Sequence, residues 1–144
     1  VLAGYPVESM KVRIYDGSFH QVDSDAMSFE LCAKSGYREA GRKAKPILLE
    51  PIMKVEVTTP DQYMGDVTGD LNRRRAMLEG MDSKHNAQII RAKVPLSEMF
   101  GYVTQLRSLS SGRATSVMEF SHYAPAPRNI EEEVIAKAKG KVNA

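Results

Sequence analysis

Cysteine is almost missing: Cys32 is the single one in 144 residues. That excludes an internal disulfide framework and fits a reducing cytoplasm. Long apolar runs are missing too. The longest spans only a few residues, so no transmembrane helix and no membrane partner are expected. No basic-then-apolar leader opens the chain, so no export signal is expected. The first residue is Val1 rather than Met, which implies a piece of something longer. Excess charge of either sign is missing, with 20 Lys+Arg against 18 Asp+Glu. There is then no whole-molecule basic field to drive non-specific nucleic-acid binding, and any RNA contact must come from local patches. Residues 1–50, 51–127 and 128–144 are each close to neutral, so charge does not mark boundaries. A G-x-x-x-x-G-K-[ST] phosphate cradle is absent, and Gly65-x-x-x-Gly69 lacks both the Lys and the preceding loop, so this chain is expected to hydrolyse no nucleotide. His20, His85 and His122 have no second His or Cys at ligand spacing, and no metal is expected.

What is present is enough apolar material for a core, 42% of residues, in one ordinary domain or two small ones. Met10, Val12 and Ile14 alternate with polar partners, a half-buried strand. Asp16-Gly17-Ser18 is turn chemistry, and the loop continues to Ser24, a good N-cap. A helix is expected from Ala26 to about Lys45, with Phe29, Cys32, Ala33, Gly36, Ala40 and Ala44 on one stripe. Cys32 on that stripe reads as a buried, inert thiol. Pro46 ends the helix, and Ile47-Leu48-Leu49 reads as a buried strand. Pro51 reads as the hinge to a second unit.

Beyond it, Ile52–Thr58 alternates as a strand. Thr59-Pro60-Asp61-Gln62 has the form of a capping box, opening a helix to about Arg74 with Met64, Val67 and Leu71 on one face. Met77–Met81 and Ala87–Val94 read as strands around the turn 82–86. Ser97 is placed to cap a helix carrying Met99, Phe100, Val103 and Leu106, and Thr115–Phe120 is a last strand. Met64-Gly65-Asp66-Val67-Thr68 matches Phe100-Gly101-Tyr102-Val103-Thr104 at an offset of 36 residues. Two tandem βαβ copies make an α+β, ferredoxin-like βαββαβ sandwich: a four-stranded antiparallel sheet with both helices on one face. Gly65 and Gly101 read as allowing close helix–sheet approach. After Pro125 and Pro127 comes a tail helix, Asn129–Lys141. Its stripe of Ile130, Val134, Ile135, Ala138 and Val142 is expected to dock on the strands of residues 1–50, with a frayed terminus as the alternative.

Two functions known for this architecture fail on the sequence. An RNA-recognition motif displays aromatics on its third strand, and Ala87–Val94 has none. An acylphosphatase-like enzyme needs an Arg in a Gly-rich loop after the first strand, where this chain has Thr58-Thr59-Pro60-Asp61. Arg73-Arg74-Arg75 is the densest basic cluster. It reads either as cations placed against a helix dipole or as a clamp on RNA phosphates, extended by Lys84, Arg91 and Lys93.

Longer words carry a resemblance. Leu2-Ala3-Gly4-Tyr5-Pro6-Val7, Tyr15-Asp16-Gly17-Ser18-Phe19-His20, Leu49-Glu50-Pro51-Ile52-Met53, Tyr63-Met64-Gly65-Asp66-Val67, Gly69-Asp70-Leu71-Asn72-Arg73-Arg74 and Pro95–Tyr102 resemble the bacterial elongation factor G family, colinearly over nearly the whole chain. The resemblance implies that residues 1–50 are the second half of domain IV, a partial S5-like β-α-β unit with a tip loop. It implies domain V at 51–127 and a C-terminal helix at 128–144. It further implies a cytoplasmic translation factor whose partners are the ribosome and the tRNA–mRNA pair in the decoding centre. GTP and magnesium would belong to a GTPase domain outside this chain, leaving no cofactor here. The tip loop would place Asp16, Gly17, Ser18, Phe19, His20 and Gln21 against RNA, with Arg73, Arg74, Arg75 and Lys84 as candidate ribosomal RNA contacts. Tetracycline ribosomal-protection factors share this architecture and are the near rival. A ferredoxin-like ligand-sensing or interaction module is the rival from another class. A truncated sheet edge would also favour a homodimer of the piece.

Overall fold

The structure, a computed structural model, describes residues 2–7, 10–22 and 24–142, with residues 141 and 142 described by backbone alone. The chain divides into two compact units, Leu49–Pro125 and a second formed by Val1–Leu48 with Ala126–Ala144.

The unit Leu49–Pro125 holds four strands, β1 (Leu49–Pro60), β2 (Met77–Lys84), β3 (Ala87–Pro95) and β4 (Thr115–Pro125). They form one antiparallel sheet in the order β2-β3-β1-β4. The order places the first strand of each βαβ copy at the centre and matches the ferredoxin-like expectation. Period two decides the faces. Val55 and Val57 stand beside Ala92 and Ile90 in the ladder and are fully buried. Helices α2 (Met64–Arg73) and α3 (Tyr102–Ser110) close this face with Val67, Leu71, Tyr102 and Leu106. The intervening residues carry charge, and cross-strand ion pairs lace the other face: Lys54–Glu119 at 3.8 Å, Arg91–Glu56 at 3.5 Å, Lys93–Glu79 at 2.9 Å, and Arg91–Asp82. The face that an RNA-recognition motif uses for stacking bases is here occupied by paired charges.

The β2–β3 hairpin closes on a two-residue turn. His85 (φ 51°) and Asn86 (φ 62°) both adopt the left-handed conformation that matches the strand twist, so β2 runs on to Lys84 where the sequence placed a longer turn.

Helix entry also differs from expectation. Thr59 does not cap a helix: it is fully buried in β1, opposite Gln88, and its hydroxyl donates to the Pro60 carbonyl. The ladder continues to Pro60–Ala87, which holds Thr59 in the strand, and α2 begins only after a 3-10 turn, Asp61–Tyr63. Ser97 likewise lies in a 3-10 turn, Leu96–Glu98, and caps nothing. These paired features reset the repeat. Pro60 and Pro95, the two 3-10 turns, Met64 and Met99, Val67 and Tyr102, and Leu71 and Leu106 all correspond at an offset of 35, one residue less than the sequence match. One residue rotates a helix face by about 100°. Phe100 and Val103 therefore turn outward, and Met99 and Tyr102 take the core positions.

Neither glycine acts by close approach. A Cβ at Gly65 or Gly101 would meet nothing within 4 Å, and Gly101 is needed for its φ of 73°. Pro51 is no hinge: it lies inside β1, opposite Tyr123. It precedes the β3 ladder, which begins at Ile52, so its missing N–H costs no bond to β3.

In the other unit, α1 (Ala26–Lys43) has no buried residue, and Cys32 is exposed rather than buried. Met10–Tyr15 has no ladder partner among the described residues, and Met10, Val12 and Ile14 are exposed. An alternating segment becomes a strand only where a neighbour supplies its hydrogen bonds. Leu49 belongs to β1, so the strand–helix–strand expected for residues 1–50 reduces to one helix. The tail forms α4 (Arg128–Val142). Ile130, Val134, Ile135 and Ala138 are half-buried, and Val134 and Ala138 line a small pocket with Ala3 and Tyr5. The tail thus meets residues 3–5, while Met10–Ile14, the surface expected for it, is exposed; the side chain of Val142 lies outside the described residues.

Candidate functional site

Two places were singled out by sequence, and each is built within one unit. The first is the loop Asp16–Gln21. Asp16 Oδ1 accepts from the Gly17 N–H at 2.8 Å. The His20 N–H donates to Ser24 Oγ at 2.9 Å, while the Ser24 N–H returns a bond to the His20 carbonyl at 3.0 Å. Ser24 thus ties the loop, and Asp25 caps α1, accepting from the Ser28 N–H at 2.7 Å. That bond, with other bonds to residues 27 and 28, holds the Asp25 carboxyl below its ordinary value of 3.8. The Phe19 ring lies parallel to that of Phe29 on α1, with centroids 6.3 Å apart. All six loop residues are exposed, and the His20 ring makes no hydrogen bond among the described residues. Asp23, part of the same loop, lies outside the described residues.

The second is the end of α2. The three arginines separate instead of forming one clamp. Arg73 is 72% exposed and gives one N–H to Asp70 Oδ1 at 3.0 Å. Arg74 is only 17% exposed. Its Nε donates to Asp70 Oδ2 at 3.0 Å, its Nη1 donates to the carbonyls of Glu98 and Phe100, and its guanidinium lies 5.1 Å from the Tyr102 ring centre. Arg75, at φ 58°, turns back into the fold. It grips the Glu50 carboxylate with both Nη atoms, at 3.0 and 3.1 Å, and gives Nε to Glu98 at 3.2 Å. These bonds raise the Arg75 pKa above its ordinary value, the hydrogen bond to Glu50 foremost. Two of the three cations therefore join α2 to β1 and to the turn before α3, and one faces solvent. Asp70 at i−3 and i−4 was legible as their helical partner. Glu50 and Glu98, 25 and 23 residues away from Arg75, were not.

Around Arg73 an open depression of about 430 Å³ is lined by Asp70, Arg73, Arg74, Ser97, Glu98, Phe100 and Gln105. Phe100 and Gln105 had no site role in the sequence reading. Lys84 ends β2 at the hairpin and has no ion-pair partner among the described residues, whereas Arg91 and Lys93 are paired across the sheet. The Tyr102 hydroxyl is buried without a hydrogen-bond partner among the described residues. Burial foremost, then the charge of Asp70, push it up to about 12 against the opposing influence of Arg74. Among the described residues no three His, Cys, Asp or Glu side chains are arranged to hold a metal ion, and no helix is long and apolar enough to cross a membrane.

The fold and this surface define a class: a ferredoxin-like α+β domain, following a helix and exposed loop in a second unit. Comparison with known proteins gives the family. Residues 47–134 match the elongation factor G C-terminus, and residues 1–45 match elongation factor G domain IV. The chain belongs to the elongation factor G family. It is 63% identical over 140 residues to elongation factor G of Cytophaga hutchinsonii and 56% identical over 142 residues to that of Amoebophilus asiaticus. These alignments cover 97% and 99% of this chain but 20% of each relative, so the chain spans about one fifth of their length. A crystal structure from Thermus thermophilus matches with a TM-score of 0.82 at 36% identity, over 97% of this chain and 21% of that one.

Proposed function

We propose that this chain is the ribosome-facing C-terminal part of a translational GTPase that drives tRNA–mRNA translocation in the cytoplasm. GTP and magnesium then belong to the remainder of the protein, and this part contributes contacts rather than chemistry. The observation that carries the reading is the pair of family matches, adjacent and in order, spanning residues 1–45 and 47–134. The exposed loop Asp16–Gln21 is assigned to the decoding centre, where the unbonded His20 ring is free to stack on RNA or hydrogen-bond to it. Its partner there is the tRNA–mRNA pair. The unit Leu49–Pro125 is assigned to the GTPase-associated region of the large subunit, with Arg73 and Lys84 as outward cations for phosphate. Arg74 and Arg75 are assigned to hold that surface in shape.

The test is His20→Ala in the full-length factor carrying this segment. Single-turnover translocation should slow while stability stays within about ±0.5 kcal/mol of the parent, the range of exposed substitutions. Unchanged translocation would remove the loop from the reading. Co-sedimentation of the 144-residue chain with ribosomes, weakening as salt rises, tests the binding itself.

A further inference from the structure

Phe100 is 79% exposed, and nothing in the packing requires it to be there. In the first repeat Met64 packs against the core and leads directly into α2. In the second, Met99 fills the equivalent core position, but Phe100 and the left-handed Gly101, which correspond to the helical Gly65 and Asp66, lie outside the helix, and α3 begins only at Tyr102. This non-helical pair is held in place. Arg74, itself anchored on Asp70, donates to the carbonyls of Glu98 and Phe100, and Gly101 fixes the exit with φ 73°. The result is an aromatic ring presented to solvent on a pinned backbone, so little backbone entropy remains to be lost when something docks on it.

The neighbours define what would dock. Phe100 shares its depression with Arg73, Gln105 and Ser97. Arg73 spends one N–H on Asp70 and keeps its other donors. The carboxylates of Asp70 and Glu98 already accept from arginines, so the lining is close to neutral. An apolar ring face, an amide that can donate and accept, a hydroxyl and one outward guanidinium match a planar heterocycle joined to a phosphate. A duplex face is a poor fit, because its bases are stacked on one another and unavailable. We infer that Phe100 is a stacking platform for a single unpaired nucleobase of RNA, with Gln105 at the base edge and Arg73 on the adjoining phosphate. This rests on the ribosomal reading above for the source of the RNA, but its stacking chemistry can be read independently.

The chain contains no tryptophan, so Phe100→Trp installs the only indole, at the proposed contact. Two measurements on the 144-residue chain decide the matter. In the first, ribosome affinity is compared for the parent, Phe100→Trp, Phe100→Leu and Phe100→Ala. Trp should bind at least as tightly as Phe, and Leu and Ala should both lose about 5- to 150-fold, the effect of removing one base–aromatic stack. In the second, the emission of Phe100→Trp is followed while a single-stranded oligoadenylate and, separately, a fully paired RNA duplex are added. Quenching by the single strand and not by the duplex is expected. Leu binding as well as Phe would assign Phe100 to an apolar protein pocket and overturn the inference, as would absence of quenching by the single strand. Failure of the parent chain to sediment with ribosomes would count against the ribosomal reading alone, since the quenching experiment still reads the stacking platform.

Discussion

Three adjacent arginines with one charge and one backbone chemistry have three different environments, and substitution should separate them. Arg73→Gln removes a guanidinium that is mostly in water, so stability should change by no more than about 0.5 kcal/mol. The same substitution should lower the slope of log ribosome affinity against log salt by about 0.7 to 0.9. Arg75→Ala should instead cost about 1 to 3 kcal/mol, because it strands the buried Glu50 carboxylate. Urea titration checks both. Tyr102 is the converse case, a buried hydroxyl with no partner among the described residues. Tyr102→Phe removes a desolvated polar atom and keeps the ring beside Arg74, so stability should hold or rise by about 1 kcal/mol. The pH dependence has a definite sign. The folded pKa lies near 12 and the ordinary value is 10.0, so the neutral hydroxyl is favoured by folding. Its contribution is fully present below pH 10 and is lost as pH rises from 10 towards 12. The part of the alkaline loss due to Tyr102 should be missing from Tyr102→Phe.

At the scale of an element, two glycines, one inside α2 and one just before α3, should respond in opposite directions. Gly69 lies inside α2, is not left-handed, and an added Cβ meets nothing within 4 Å. Gly69→Ala should stabilise by about 0.5 to 1 kcal/mol through helix propensity. Gly101 also has open space around it, but its φ of 73° penalises any Cβ. Gly101→Ala should destabilise by about 1 to 2 kcal/mol. Thermal unfolding followed by circular dichroism separates the two. An equal response would mean that Gly101 does not govern the entry to α3. Within Leu49–Pro125, element types were legible from period alone: the alternation in β1 and β3 and the spacing of Val67 and Leu71 fix type and face. Helix starts were not. Thr59-Pro60-Asp61-Gln62 satisfies the local rule for a cap, yet ladder pairing with β3 holds Thr59 in the strand. The shared Gly-x-Val-Thr words gave a repeat of 36, and the core socket filled by Met99 made it 35.

At the scale of the molecule, every buried apolar residue among the described residues lies between Val55 and Ala114, while α1 buries nothing. Stability should therefore reside in Leu49–Pro125. A chain of residues 47–127 should unfold cooperatively in urea at a midpoint close to that of the 144-residue chain. Amide exchange should be slow in β1 and β3 of both and fast throughout α1. Matching exchange in α1 and β1 would show that the first unit has a core of its own. The ferredoxin-like sandwich was already written in the residues, because binary patterning and the tandem copies encode strand and helix faces locally. The family was written there too, because long colinear words are specific. Packing settled the rest: Cys32 and the α1 stripe lie open, and Met10–Tyr15 gains no ladder. It also turned two of three arginines inward and set Phe100 facing water. Each of those depends on whether a distant segment supplies a hydrogen-bond partner, a carboxylate or a competing side chain. A local pattern specifies which face a residue occupies, not what, if anything, meets it there.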